Sequence, residues 1–173
     1  MSARPKRDKA MKKLTLCFFA LLLSTWVSSA QTIPAKITGS LNRHYAGWKQ
    51  APGSCDNRKW FLLGDFDGDG IMDYVVRIKT GKSARSMRLK LIVFFGVDGG
   101  EYPTTKILDE PYKSDLLRSS FSVIKKGTKI QLGEGDGPTI TLENDAASQY
   151  ICQTDAIKTM VYKDGKWKNI YDE

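Results

Sequence analysis

The sequence predicts a mainly β, antiparallel, sandwich-like single domain carrying one short N-terminal helix. Three observations carry that expectation. After residue 59, seven or eight short segments are rich in Val, Ile, Tyr, Phe and Thr, and several alternate with the two-residue period of a half-buried strand. Turns built on Gly and Asp separate these segments, and no strand–helix–strand alternation of the parallel type runs through them. With 173 residues, 41% hydrophobic and 27% charged, the chain suits one ordinary globular domain and leaves no room for two.

The first thirty residues read as an address. A basic stretch ending in Met11-Lys12-Lys13 runs into the apolar segment Leu14 to Val27, followed by Ser28, Ser29 and Ala30 before Gln31. This is the three-part pattern of a secretory signal peptide cleaved after Ala30, with Met11 as an alternative start. The apolar run is shorter than the ~20 residues a spanning helix needs, so no retained membrane span is expected. The expected organisation is therefore a signal peptide over 1–30 and one β domain over 31–173, in the periplasm or outside the cell.

Removing that segment changes the charge. The whole chain carries 27 Lys and Arg against 19 Asp and Glu, a formal +8. Six of those basic residues and one acid lie in the first thirty, which leaves 21 against 18, a balance of +3. A domain so close to neutral lacks the electrostatic footprint of a nucleic-acid binder. The cysteine count also falls, because Cys17 leaves with the peptide and only Cys55 and Cys152 remain. An even pair in an oxidising compartment points to a Cys55–Cys152 disulfide.

The elements follow in order. Ile37, Leu41, Tyr45 and Trp48 recur at helical spacing, which predicts a short amphipathic helix ended by Pro52-Gly53. Lys59 to Leu63 is a brief apolar run, and Tyr74–Thr80 and Met87–Phe95 alternate as two strands of a hairpin across the polar turn 81–86. Thr104–Leu108 is a short strand, and Ser114–Ser119 is at most a helical turn. Phe121–Ile124 and Thr128–Leu132, joined by Lys125-Lys126-Gly127, read as a second hairpin, and Thr139–Leu142 as another strand. Ala156–Tyr162 and Trp167–Tyr171 flank Lys163-Asp164-Gly165-Lys166, where Asp-Gly is a strong hairpin signal.

One loop carries chemistry. Gly64-Asp65-Phe66-Asp67-Gly68-Asp69-Gly70-Ile71-Met72-Asp73 places carboxylates at relative positions one, three, five and nine, with glycine at six. A hard cation takes oxygen ligands, alternate residues of a tight loop point inward, and glycine at six supplies the sharp turn. Asp65, Asp67, Asp69 and Asp73, with the backbone carbonyl of Ile71, are therefore the candidate ligands of one Ca²⁺, Asp73 acting directly or through a water. The twelfth position is Val76, where an EF-hand has a bidentate Glu, and both flanks read as strands and not helices.

The stretch GDFDGDGIMDYVV resembles the calcium loops of FG-GAP and VCBS-type repeats, found in integrin α-subunit propeller blades and many secreted bacterial proteins. That resemblance implies the same ligand set and a structural role, the ion holding two strands in register. It spans about thirteen residues, and one copy cannot close a propeller, which needs at least four blades. The C-terminal hairpin also resembles the ending of small secreted bacterial proteins that carry a single such loop.

Other residues offer alternatives to this loop. A symmetric turn would set Lys79 opposite Arg88 and Arg77 opposite Lys90, giving four like charges on one face. Such a face would be a landing site for an anionic glycan, lipopolysaccharide or an acidic surface protein, or else a solvated edge. His44 is the sole histidine and no serine motif accompanies it, so neither zinc nor a serine or cysteine hydrolase is expected. Glu134, Asp136, Glu143 and Asp145 contain the two acids a glycosidase needs, which keeps a small calcium-dependent glycan hydrolase as the alternative. Trp60 and Trp167 sit in apolar strand contexts and read as core. The expectation is a calcium-binding, non-catalytic module of the cell envelope.

Overall fold

The computed structural model describes residues 32–53, 55, 59–83, 86–111, 119–133, 137–152 and 157–172. The expected signal segment 1–30, residues 114–118 of the expected turn, and Glu134 and Asp136 lie outside the described residues. From Ile33 onward the chain forms one unit.

The helix α1 spans Ala35–His44, followed by β1 (Lys49–Gln50), β2 (Phe61–Gly64), β3 (Asp73–Thr80), β4 (Arg88–Phe94) and β5 (Thr104–Pro111). Then come β6 (Ser119–Ile124), β7 (Lys129–Gln131), β8 (Thr139–Thr141), β9 (Ala146–Ile151), β10 (Ile157–Lys163) and β11 (Lys166–Asp172). The first sheet runs β1-β3-β4-β5, with β2 sharing the β1 edge of β3. The second runs β11-β10-β9-β6, and β7-β8 make a small third one. All pairings are antiparallel, as the sequence predicts.

The main core lies between the two larger sheets. Leu62, Val75, Leu91 and Val93 of the first meet Phe121, Ala147 and Met160 of the second, and Phe66 from the acidic loop packs among them. Each of the Leu, Val, Phe and Met side chains, fully buried, contributes about 1.5–3 kcal/mol. On the other face of the first sheet, Ile37 and Leu41 of α1 pack on Val76, Ile78, Ile92 and Phe94. A third cluster seats Ile130 and Leu142 against Ala146. Trp60 stacks on Trp48 at 6.0 Å beside α1, while Trp167 packs against Phe66 and Tyr162.

Four expectations need correction. The helix ends at His44, because the chain turns at Gly47 with φ 70° and the Trp48 amide donates to the Tyr45 carbonyl. Tyr45 and Trp48 still reach the helix-side core, but from that turn. Second, β6 pairs with β9 and not with β7. The chain leaves Ile124 by donating the Lys126 amide to Asp145 and the Gly127 amide to the Leu142 carbonyl, which directs β7 onto β8. Third, β9 escapes sequence reading because Ala146, Ala147, Ser148 and Gln149 are small or polar yet buried in the middle of a sheet.

The fourth concerns the expected anionic-partner face of Arg77, Lys79, Arg88 and Lys90. The register pairs Thr80 with Arg88, Lys79 with Leu89, Ile78 with Lys90 and Arg77 with Leu91. This is one residue off the symmetric turn, and a slip of one sends a strand's side chains to opposite faces. Arg77 and Lys79 face the second sheet, whereas Arg88 and Lys90 share the α1 side, where the Lys90 amine lies 5.8 Å from the Tyr45 ring. The four cations do not form one face, and Arg77 is wholly buried. Among the described residues no helix is long and apolar enough to cross a membrane.

Candidate metal centre

The acidic loop joins β2 to β3, two strands paired to each other from Phe61 opposite Val76 to Gly64 opposite Asp73. The loop therefore closes a hairpin whose ends are fixed by the sheet. Glycine at the sixth position has φ 86°, and Gly68 has φ 85°, both in the left-handed region that side chains avoid. These two residues let the loop curl tightly enough for its carboxylates to meet.

Carboxylate oxygens of Asp65, Asp67 and Asp73 lie within 4.8 Å of one another, a cluster able to hold a metal ion. The loop's own amides also face these groups. Asp65 accepts from the Gly68 amide at 2.8 Å and the Gly70 amide at 3.1 Å, and Asp67 accepts from the Asp69 amide at 3.3 Å. Asp69 is exposed, accepts from the Ile71 amide at 2.7 Å, and stands outside the cluster of three. Ile71 turns its side chain toward Gly96.

Asp73 differs from the others because it is fully buried. One carboxylate oxygen accepts from the Phe66 amide at 2.8 Å and the other from the Gly96 amide at 2.7 Å. Burial pushes its carboxyl up to about 6, against the pull of those two bonds, and the nearby Asp67 adds to the rise. Burial also raises the Asp67 carboxyl, the Asp69 amide opposes it, and the charges of Asp69 and Asp65 reinforce it. Such crowding of like charges is what a divalent cation relieves.

Three residues outside the motif position this loop. Gly96 brings its amide to Asp73, and a Cβ there would meet the Met72 carbonyl oxygen at 2.5 Å, so only glycine permits the approach. Asp145 accepts from the Asp65 amide at 3.2 Å while its own amide donates to the Asp65 carbonyl at 3.0 Å. The same carboxylate takes bonds from Lys125 Nζ at 2.7 Å and the Lys126 amide at 3.0 Å. Burial works to raise the Asp145 carboxyl, but the bonds from Lys125 and the two amides outweigh it and hold the group below the usual carboxylate range. Asn144 rests its amide against Gly68, where a Cβ would come within 2.4 Å of its Oδ1. The glycine ending an aromatic strand was the one legible signal for Gly96; Asn144 and Asp145, some eighty residues from the loop, left none.

Asn144 and Asp145 also line a groove of about 510 Å³, with Ile140, Val161, Lys163 and Ile170. Glu143 is exposed there and paired with Lys163 at 2.9 Å. Cys55 and Cys152 are brought together as a pair, their Cα atoms 6.0 Å apart, inside the range a disulfide spans. The chain matches no protein-family model, no curated protein and no solved structure.

Proposed function

We propose that this is an exported Ca²⁺-binding β domain, a non-catalytic binding module of the cell envelope, in which the loop from Asp65 to Asp73 holds the ion. The observation that carries this reading is the convergence of three carboxylates, Asp65, Asp67 and Asp73, on one point of a glycine-turned loop. All-oxygen ligands suit a hard cation, and the absence of sulfur or imidazole from this cluster favours Ca²⁺ over zinc. Asp69 and the Ile71 carbonyl complete the shell in this reading. The affinity belongs with extracellular modules, about 10⁻⁴–10⁻³ M. By holding β2 and β3 in register the ion serves the fold, and the partner is a surface protein or an anionic glycan. For the alternative, a small calcium-dependent glycan hydrolase, Asp145 makes a poor proton donor, since Lys125 and two amides hold its carboxyl below the usual range, the opposite of the shift a general acid needs.

Calorimetric titration of Ca²⁺ into chelator-treated protein from Gln31 onward tests this, with thermal melting alongside. One-to-one binding that raises the melting temperature and disappears in the Asp67→Ala, Asp69→Ala double variant is expected. No heat and no shift at several millimolar Ca²⁺ would reduce the loop to a polar turn.

A further inference from the structure

Arg77 is an anomaly in the core. It lies at the middle of β3, facing the second sheet, and is 0% exposed. Burial lowers its pKa to about 10, and among the described residues no carboxylate offsets that. Its Nη2 is buried without an acceptor, and its guanidinium carbon lies 5.2 Å from the Phe121 ring centre. A buried cation without a counter-charge is expensive, and an apolar side chain of similar volume is often neutral or stabilising in such a place. The guanidinium therefore needs a reason other than stability.

Its hydrogen bonds supply one. The segment from Ala51 to Trp60 carries Cys55, and both of its ends are tied to Arg77. The Ala51 amide donates to the Arg77 carbonyl at 3.1 Å, Arg77 Nε donates to the Ala51 carbonyl at 2.7 Å, and the Arg77 amide donates to the Trp60 carbonyl at 2.7 Å. The other prong reaches the opposite sheet. Arg77 Nη1 donates to Ser119 Oγ at 2.9 Å, and the same oxygen accepts from Gln149 Nε2 at 3.0 Å. Gln149 stands three residues before Cys152, on the strand that delivers it.

We propose that Arg77 is a non-covalent latch that assembles the Cys55–Cys152 pair, one arm gripping the segment that carries Cys55 and the other the strand that leads to Cys152. The two cysteines are 97 residues apart in sequence, so bringing them together in a flexible chain carries a large loop-closure penalty. With the latch closed that penalty is met before oxidation, and the two thiols face each other in the reduced fold. Only a forked donor with fixed geometry reaches two segments at once, which is what arginine has and lysine lacks. Linkage makes the effect reciprocal: the bond, once formed, holds Arg77 in its buried place.

The test is redox equilibration of the protein from Gln31 onward with glutathione under native conditions. The two thiols give up two protons and two electrons, and one glutathione disulfide becomes two glutathione molecules. Arg77→Met and Arg77→Lys are each expected to lower the equilibrium constant for closure about tenfold, which corresponds to about 30 mV. Ser119→Ala, which removes the oxygen that the second arm holds and leaves the first arm in place, is expected to move it in the same direction by less, and it decides the matter if the Arg77 variants do not fold. Val93→Ala weakens the same core without touching the relay and should leave the constant within about twofold. Unchanged closure in the Arg77 variants, or in Ser119→Ala where it alone folds, would overturn the latch. So would an equal loss in Val93→Ala, because Arg77 would then be an ordinary core residue.

Discussion

Asp73 and Arg77 lie on the same face of the same strand, four residues apart, both wholly buried, and neither neutralises the other. At about 3.3 Å per residue their backbone positions are roughly 13 Å apart, beyond the reach of an ion pair. Each is served by neutral groups instead. Asp73 accepts from the Phe66 and Gly96 amides, and Arg77 donates to the Ala51 carbonyl and the Ser119 hydroxyl. A strand that buries an anion at one end and a cation at its middle has given each a separate task. The anion belongs to the acidic loop, and the cation to the cysteine-bearing segments.

The first consequence is a pH dependence. The Asp73 carboxyl sits at about 6 in the fold against 3.8 in the unfolded chain, so the fold favours the protonated form. Without metal, the stability this group contributes is fully present below pH 3.8 and is lost as pH rises through 6. A divalent ion must displace that proton, so Ca²⁺ should bind about tenfold more weakly at pH 5 than at pH 7. Calorimetry at the two pH values checks this; equal affinities would remove Asp73 from the ligands.

Glycine-to-alanine changes should have opposite signs at two positions. At Gly96 the new Cβ meets the Met72 carbonyl oxygen at 2.5 Å and the Ile71 side chain at 2.7 Å, and the amide is forced off Asp73. Gly96→Ala should cost about 1–3 kcal/mol through overpacking and the lost bond. At Gly39, within α1, the nearest atom is the flexible end of Arg43 at 3.8 Å. Gly39→Ala should stabilise by about 0.5–1 kcal/mol through helix propensity. Urea unfolding of the two variants gives both signs, and a neutral Gly96→Ala would mean that the Asp73–Gly96 contact carries no strain.

These residues also show what sequence could and could not reveal. The last hairpin was legible because Asp164 and Gly165 adopt φ of 56° and 73°, the left-handed pair that Asp-Gly favours. The loop was legible because its spacing encodes its turn. Arg77 is not legible as a core residue, because β3 is covered on both faces, by α1 on one and the second sheet on the other. From Val75 to Ile78 every residue is buried, so alternation does not choose a face, and a charged residue among apolar ones reads as outward. β9 escapes the local pattern for a related reason, its central position letting Ala and Ser take the place of the large apolar residues that mark a strand. Asp145 reaches the loop only through tertiary structure, which no local pattern records.

Asp145 should matter far more than its salt bridge. Lys125 is 68% exposed, so the ion pair contributes at most about 1 kcal/mol, and Lys125→Met should be nearly silent. Asp145→Ala instead strips the acceptor from the Lys126 and Asp65 amides at the mouth of the loop. Leaving these half-buried donors unmet should cost about 1–3 kcal/mol. Chemical denaturation of both variants separates the contributions. Equal losses would assign the effect to the ion pair and not to the backbone amides.

The cysteine pair supplies the last prediction. Cross-linking residues 97 apart removes roughly 4–5 kcal/mol of denatured-state freedom on the chain-entropy model, and measured losses on removal run at about 2–5 kcal/mol. Cys55→Ser combined with Cys152→Ser should therefore unfold at lower denaturant concentration than the oxidised parent. The slope of the transition should also steepen, because a chain freed of its cross-link exposes more surface when it unfolds. Reductant should move the parent onto the curve of the double variant and leave the variant itself unchanged. If reductant moves neither curve, the two thiols are neighbours without a bond, and the stability of the domain rests on its core alone.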